Sequence, residues 1–141
     1  MSNDLTQWIE ELTKPRQELG NLPVCPYAKG INFDIINSNG DNIQPPLHDF
    51  ELIIYILPDE LSILELTTIS KKYNELYPRL VFLPDHKDRK TFIQGIQTSN
   101  GRYNLILCQY RDALINARNK LKNTAYYSYW DEEYLKEIFE T

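Results

Sequence analysis

The feature that most constrains the fold lies in the middle of the chain. Leu52-Ile53-Ile54-Tyr55-Ile56-Leu57 is an unbroken apolar, β-branched run of strand length, the pattern of a strand covered on both faces. Pro58-Asp59 stops it, and Asp59 is placed to cap a helix in which Leu66, Ile69, Tyr73 and Leu76 share one face. Pro78 ends that helix, and Leu80-Val81-Phe82-Leu83 follows as a second buried strand. Strand, helix and strand with joins this short make a βαβ unit, so the two strands should run parallel through a right-handed crossover.

The flanks add further elements. Asp4 is a good N-cap for a helix carrying Trp8, Ile9 and Leu12, which should stop before Pro15. Pro15, Gly20, Pro23, Pro26 and Gly30 make residues 14–30 irregular, with one helical turn expected after Cys25. Ile31 to Ile35 alternates apolar and polar, as a half-buried strand does, and Ser38 to Asn42 turns before Pro45-Pro46. A third apolar run, Tyr103 to Cys108, leads into a helix from Arg111 to Leu121 with Leu114, Ala117 and Leu121 inward. A last helix starts near Ser128 and packs Trp130, Tyr134, Leu135 and Ile138. The expected architecture is one α/β domain over residues 1–141, a small, mostly parallel sheet with a central βαβ unit flanked by helices.

Composition narrows the function. With 15 Lys and Arg against 20 Asp and Glu the chain carries −5, which disfavours nucleic acid, whose binding draws on cationic neutralisation of phosphates. The N-terminus lacks the basic start and apolar run of a signal peptide, and no apolar stretch approaches the roughly 20 residues that span a bilayer. Two cysteines, Cys25 and Cys108, make neither a disulfide framework nor a four-ligand zinc site. The expectation is a soluble, cytoplasmic protein with no membrane partner, no metal and no cofactor. The pattern sets no oligomeric state.

Candidate chemistry gathers at one edge. Leu57-Pro58-Asp59 and Leu83-Pro84-Asp85 each close a buried strand, so parallel strands bring both aspartates to the carboxyl edge, where open α/β sheets bind ligands. The second copy continues as Asp85-His86-Lys87-Asp88, setting an imidazole between carboxylates as an acid–base group or metal ligand. Both aspartates also fit plain strand-stop and turn chemistry. Cys25 precedes Pro26, a residue suited to a first helical position, and a thiol there favours thiolate, with Lys29 close enough in sequence to add positive charge. The competing reading is a buried, inert thiol, the one expected of Cys108. Asn100-Gly101 signals a tight turn whose amides, with Arg102, would suit a carboxylate or phosphate; a hairpin rim explains the same residues. Tyr126-Tyr127-Ser128-Tyr129-Trp130 reads as packing of the last helix or as a contact surface.

The order of these motifs is similar to that of an uncharacterised bacterial family, the domain of unknown function numbered 1415. The resemblance runs from Trp8-Ile9-Glu10 through the Leu-x-x-Cys-Pro-aromatic-Ala segment at Leu22 to Ala28, the Ile-Leu-Pro-Asp strand end and the Thr98 to Tyr103 stretch. Tyr27 stands where the family has Phe, and Asn100 to Tyr103 lacks the family's prolines. The resemblance lends weight to Cys25 and to the Asn100–Tyr103 segment without naming a reaction.

The first functional expectation is binding of a polar or anionic small molecule at the carboxyl edge, with Asp85, Asn100, Arg102 and Lys29 as ligand contacts. The alternative is a non-catalytic protein-interaction module with an acidic, tyrosine-rich surface. A thiol-dependent enzyme using Cys25 with His86 comes third, with His48 as the other histidine.

Overall fold

The apolar run at the centre of the chain is a strand, and three others align with it. The computed structural model describes residues 2–12, 14–16, 22–23, 32–41, 43, 51–93, 96–122, 127, 132 and 136. In chain order the elements are helix α1 (Ser2–Leu12), strands β1 (Pro15–Arg16), β2 (Leu22–Pro23), β3 (Phe33–Asn37) and β4 (Leu52–Leu57), then helix α2 (Ile63–Leu76) and β5 (Leu80–Asp85). The short strands β6 (Phe92–Ile93) and β7 (Ile96–Gln97), the strand β8 (Asn104–Tyr110) and helix α3 (Arg111–Lys122) complete them.

Packing divides the chain into two units, one of Ile31–Lys90 with Ser99–Leu114, the other of Met1–Gly30, Thr91–Thr98 and Ile115–Thr141. The first unit holds a four-stranded sheet in the order β3-β4-β8-β5. β3 pairs parallel with β4, while β8 pairs antiparallel with both β4 and β5. β3, β4 and β5 therefore point the same way, as the βαβ pattern requires. The expected unit is split, however, because β8 runs antiparallel between its two strands. The chain can place β8 there because both faces of the slot are apolar: Leu105 and Ile106 are fully buried.

One row of the sheet explains the core. Ile53, Cys108 and Phe82 lie side by side across three strands, as do Tyr55, Ile106 and Pro84. These residues face α2, whose Leu66 and Tyr73 are buried against them, with Ile43, Leu57 and the partly buried Ile69 and Leu80 around the rim. Apolar burial of this kind stabilises by roughly 2 kcal/mol per large side chain. Leu76, expected on the inward face, is 58% exposed. The inward stripe steps from Leu66 through Ser70 to Tyr73, and its next member is Tyr77, which stacks on Tyr73 with ring centroids 6.4 Å apart. Ser62 rather than Asp59 caps α2. Its hydroxyl accepts the Glu65 amide at 3.1 Å and the Glu65 carboxylate accepts the Ser62 amide at 3.1 Å, a complete capping box. Asp59 is an exposed turn residue.

The second unit contains α1, the antiparallel pairs β1–β2 and β6–β7, and the later part of α3. α1 begins at Ser2, ahead of the Asp4 expected to cap it, and buries Leu5 and Ile9. The Trp8 indole N–H donates to the Thr98 carbonyl at 3.2 Å, and Thr98 also bonds Thr91 through its amide at 2.8 Å. Residues 24–31, which include Cys25 and Lys29, lie outside the described residues, as does His48. The helix expected from Ser128 and the aromatic run at 126–130 also fall outside them, apart from Tyr127 and the helical Glu132 and Lys136.

Candidate functional site

The carboxyl edge of the sheet is built by three strand ends. β4 leaves at Pro58, β5 leaves at His86, and β8, running the other way between them, begins at Asn104. A polar residue at the first position of β8 therefore faces both exits. Asn104 is 0% exposed and uses its whole amide: Nδ2 donates to the carbonyls of Pro58 at 2.9 Å and Leu61 at 3.3 Å, and Oδ1 accepts the Lys87 amide at 3.1 Å. This side chain staples the loop entering α2 to the turn leaving β5.

His86 completes the staple. Its ring is 4% exposed, its Nε2 lies 2.6 Å from the Leu61 carbonyl, and its Nδ1 accepts the Asp88 amide at 3.1 Å. The first contact requires a proton on Nε2 and the second requires a bare Nδ1, so the geometry selects one tautomer. The Asp88 carboxylate sits 3.9 Å from Nδ1, but that nitrogen already holds a backbone N–H, and the shorter contact decides its role. Both nitrogens are engaged, and a base needs one within reach of a substrate proton.

Asp85 meets Asn100. Its Oδ2 accepts the Asn100 backbone amide at 3.1 Å and Nδ2 at 2.9 Å. Burial holds this carboxyl above its ordinary range, while the Asn100 hydrogen bonds and the positive field of Arg89 pull the other way. Asn100 in turn shapes the following turn: Oδ1 accepts the amides of Arg102 at 2.9 Å and Tyr103 at 2.6 Å, and Nδ2 also reaches the Tyr103 carbonyl at 3.0 Å. Gly101 at the corner has φ +69°, a conformation glycine adopts without strain. The tight turn expected at Asn100-Gly101 is present, but it leads into β8 and closes no hairpin; the antiparallel pair β6–β7 lies before it. The carboxylate gripped by its amides is Asp85 of the same chain.

The structure thus brings Asp85, His86, Asn100 and the Arg102 backbone to one edge, with the Arg102 side chain exposed. Asn104 belongs to no motif, and its signal in the sequence is a lone amide opening an apolar strand. Cys108 is buried in β8, and burial pushes its thiol up to about 12. Among the described residues no three His, Cys, Asp or Glu side chains cluster as metal ligands, and no helix is long and apolar enough to cross a membrane. A shallow depression of about 640 Å³ lies at the carboxyl ends of β3 and β4, lined by Asn37, Ser38, Asn39, Ile56, Leu57 and Pro58. No charged side chain is among its described lining residues.

No protein-family model matches the chain, and neither the curated proteins nor the solved structures contain a match.

Proposed function

We propose that this protein, whose chain is acidic overall at −5, is a non-catalytic interaction module that binds another protein through exposed tyrosines. The observation that carries this reading is an apolar, aromatic patch at the amino end of β5. Tyr110 is the register partner of Leu80, and the Tyr77 carbonyl accepts the Leu80 amide at 3.0 Å. Both rings stay in part outside the core, at 37% exposure for Tyr77 and 38% for Tyr110, beside the outward Leu76. Aromatic side chains with one apolar and one wet end are enriched where proteins dock. The opposite edge supports the same reading, since Asp85, His86, Asn100 and Asn104 are engaged with one another and with backbone.

The test is affinity capture with the full chain, run beside a Tyr77→Ala/Tyr110→Ala variant whose fold is checked by circular dichroism. The reading expects partner proteins retained by the wild-type chain and lost by the variant. Saturable binding of small anions such as phosphate or citrate, abolished by Arg102→Ala and untouched by the tyrosine changes, would instead support a metabolite-binding protein.

A further inference from the structure

The two edges of the four-stranded sheet are treated differently. In β5 the residues whose backbone groups point away from β8 are Leu80, Phe82 and Pro84, and none offers a free N–H. The Leu80 amide donates to Tyr77 O at 3.0 Å and its carbonyl accepts from Arg111 Nη2 at 3.3 Å. Asn74 of α2 lies along the edge like a short strand, accepting the Phe82 amide at 2.7 Å and donating to the Phe82 carbonyl at 3.0 Å. Pro84 has no N–H to offer.

Among the described residues β3 has no such cover. The Leu52 amide donates to Asn32 O and the Ser38 amide to Ile56 O, which with the parallel register turns Asn32, Asp34, Ile36 and Ser38 toward β4. Phe33, Ile35 and Asn37 therefore direct both backbone groups outward. Among the described residues the hydrogen bond at this edge is internal, from the Ile35 amide to Asp34 Oδ1 at 2.9 Å. A row of outward N–H and C=O groups is a template for another strand. Charge indicates which strand. Residues 30–70 contain Asp34, Asp41, Asp49, Glu51, Asp59, Glu60 and Glu65 and no Lys or Arg. All 15 basic residues of the chain lie outside that stretch.

We infer that the free edge of β3 accepts an extended, lysine- or arginine-bearing segment of a protein partner as an added strand. This rests on the interaction reading above and names the partner's chemistry. Backbone pairing supplies the attachment, and Asp34 in the strand with Glu51, whose amide bonds Asn32 O at its start, selects a basic strand over an acidic one. Pairing with a second copy of β3 would set two such acidic stretches side by side, which opposes it.

The experiment uses the full chain and labelled peptides of about ten residues, one alternating Lys with Val and one alternating Glu with Val. The Lys peptide should bind and the Glu peptide should not, with affinity falling about fivefold or more between about 50 and about 300 mM salt. Amide exchange at Phe33, Ile35 and Asn37 should slow by about tenfold on binding while Leu80 and Phe82 stay unchanged. Asn37→Pro removes an outward N–H and leaves the β4 ladder intact, so it should abolish binding. Asp34→Lys with Glu51→Lys should weaken it independently.

Equal binding of both peptides, or binding that leaves the β3 amides untouched, would overturn the proposal. So would a dimer that protects β3 without peptide. If the peptides fail here while Tyr77 and Tyr110 still govern partner retention, the edge proposal falls and the interaction reading stands. If the tyrosine variant retains its partners and the Lys peptide protects β3, the edge carries the interaction and the tyrosine patch does not.

Discussion

Replacing Asn104 by alanine should be among the most damaging single substitutions outside the apolar core. The change removes three hydrogen bonds in a site with no exposure. Leu61 O keeps its contact with His86 and Pro58 O keeps the Leu61 amide at 3.3 Å, so the group that loses its partner is the Lys87 amide. A buried backbone group left unpaired costs about 1–3 kcal/mol, so this one, with the weakened Pro58 and Leu61 contacts, sets a loss of about 2 kcal/mol after relaxation. For a chain of this length that corresponds to a fall in Tm of about 7 °C. Asn104→Asp separates the staple from simple packing. It keeps the volume and the acceptor for Lys87, yet turns a carboxylate oxygen toward two carbonyls. Its loss at neutral pH should match or exceed that of alanine, and it should recover on acidification, when the protonated acid regains an O–H donor. Urea unfolding of both variants between pH 5 and 8, roughly the range of maximal protein stability, reads this directly. A change of less than about 1 kcal/mol for Asn104→Ala, the size of one ordinary hydrogen bond, would refute the staple.

Other consequences are as direct. Because burial raises the Asp85 carboxyl, the folded protein binds its proton more tightly than the unfolded chain does; the stability contributed by this group is full below the unfolded value and is lost as pH rises through the folded one. Asp85→Asn keeps an acceptor for Asn100, so the variant should lack that loss, and the wild-type-minus-variant difference from urea unfolding should fall with pH across this window. Cys108, with its thiol pushed up to about 12, should resist alkylation at neutral pH until the protein unfolds, as peptide mass spectrometry would record. Ser62→Ala should lower stability by about 1 kcal/mol through loss of the α2 cap, measured by thermal unfolding.

The strands at Leu52–Leu57 and Leu80–Asp85 and the helix between them were legible because apolar run length and proline punctuation are local signals. The insertion of β8 was not, since antiparallel pairing across some 50 residues of sequence leaves no local trace. Ser62-Ile63-Leu64-Glu65 is a readable capping box, masked in the sequence reading by the nearer Asp59. At the carboxyl edge the residue types were legible and their employment was not. Asp85, His86 and Asn100 look alike in sequence whether they await a ligand or hold a loop, and the distinction lies in partners up to 25 residues away. The edge of β3 was hidden for the same reason: which strand is exposed depends on the order of all four.

The most direct test of the account concerns His86, on which the staple at the carboxyl edge turns. Long-range nitrogen–proton correlation spectra of the imidazole at neutral pH report which nitrogen carries the proton and how fast it exchanges with water. The account predicts an Nε2–H tautomer with a slowly exchanging proton, held on Leu61 O, and the same spectrum when small anions are added. An Nδ1–H form, rapid exchange at Nε2, or a shift on adding anion would contradict it and return His86 to the role of an accessible acid–base group.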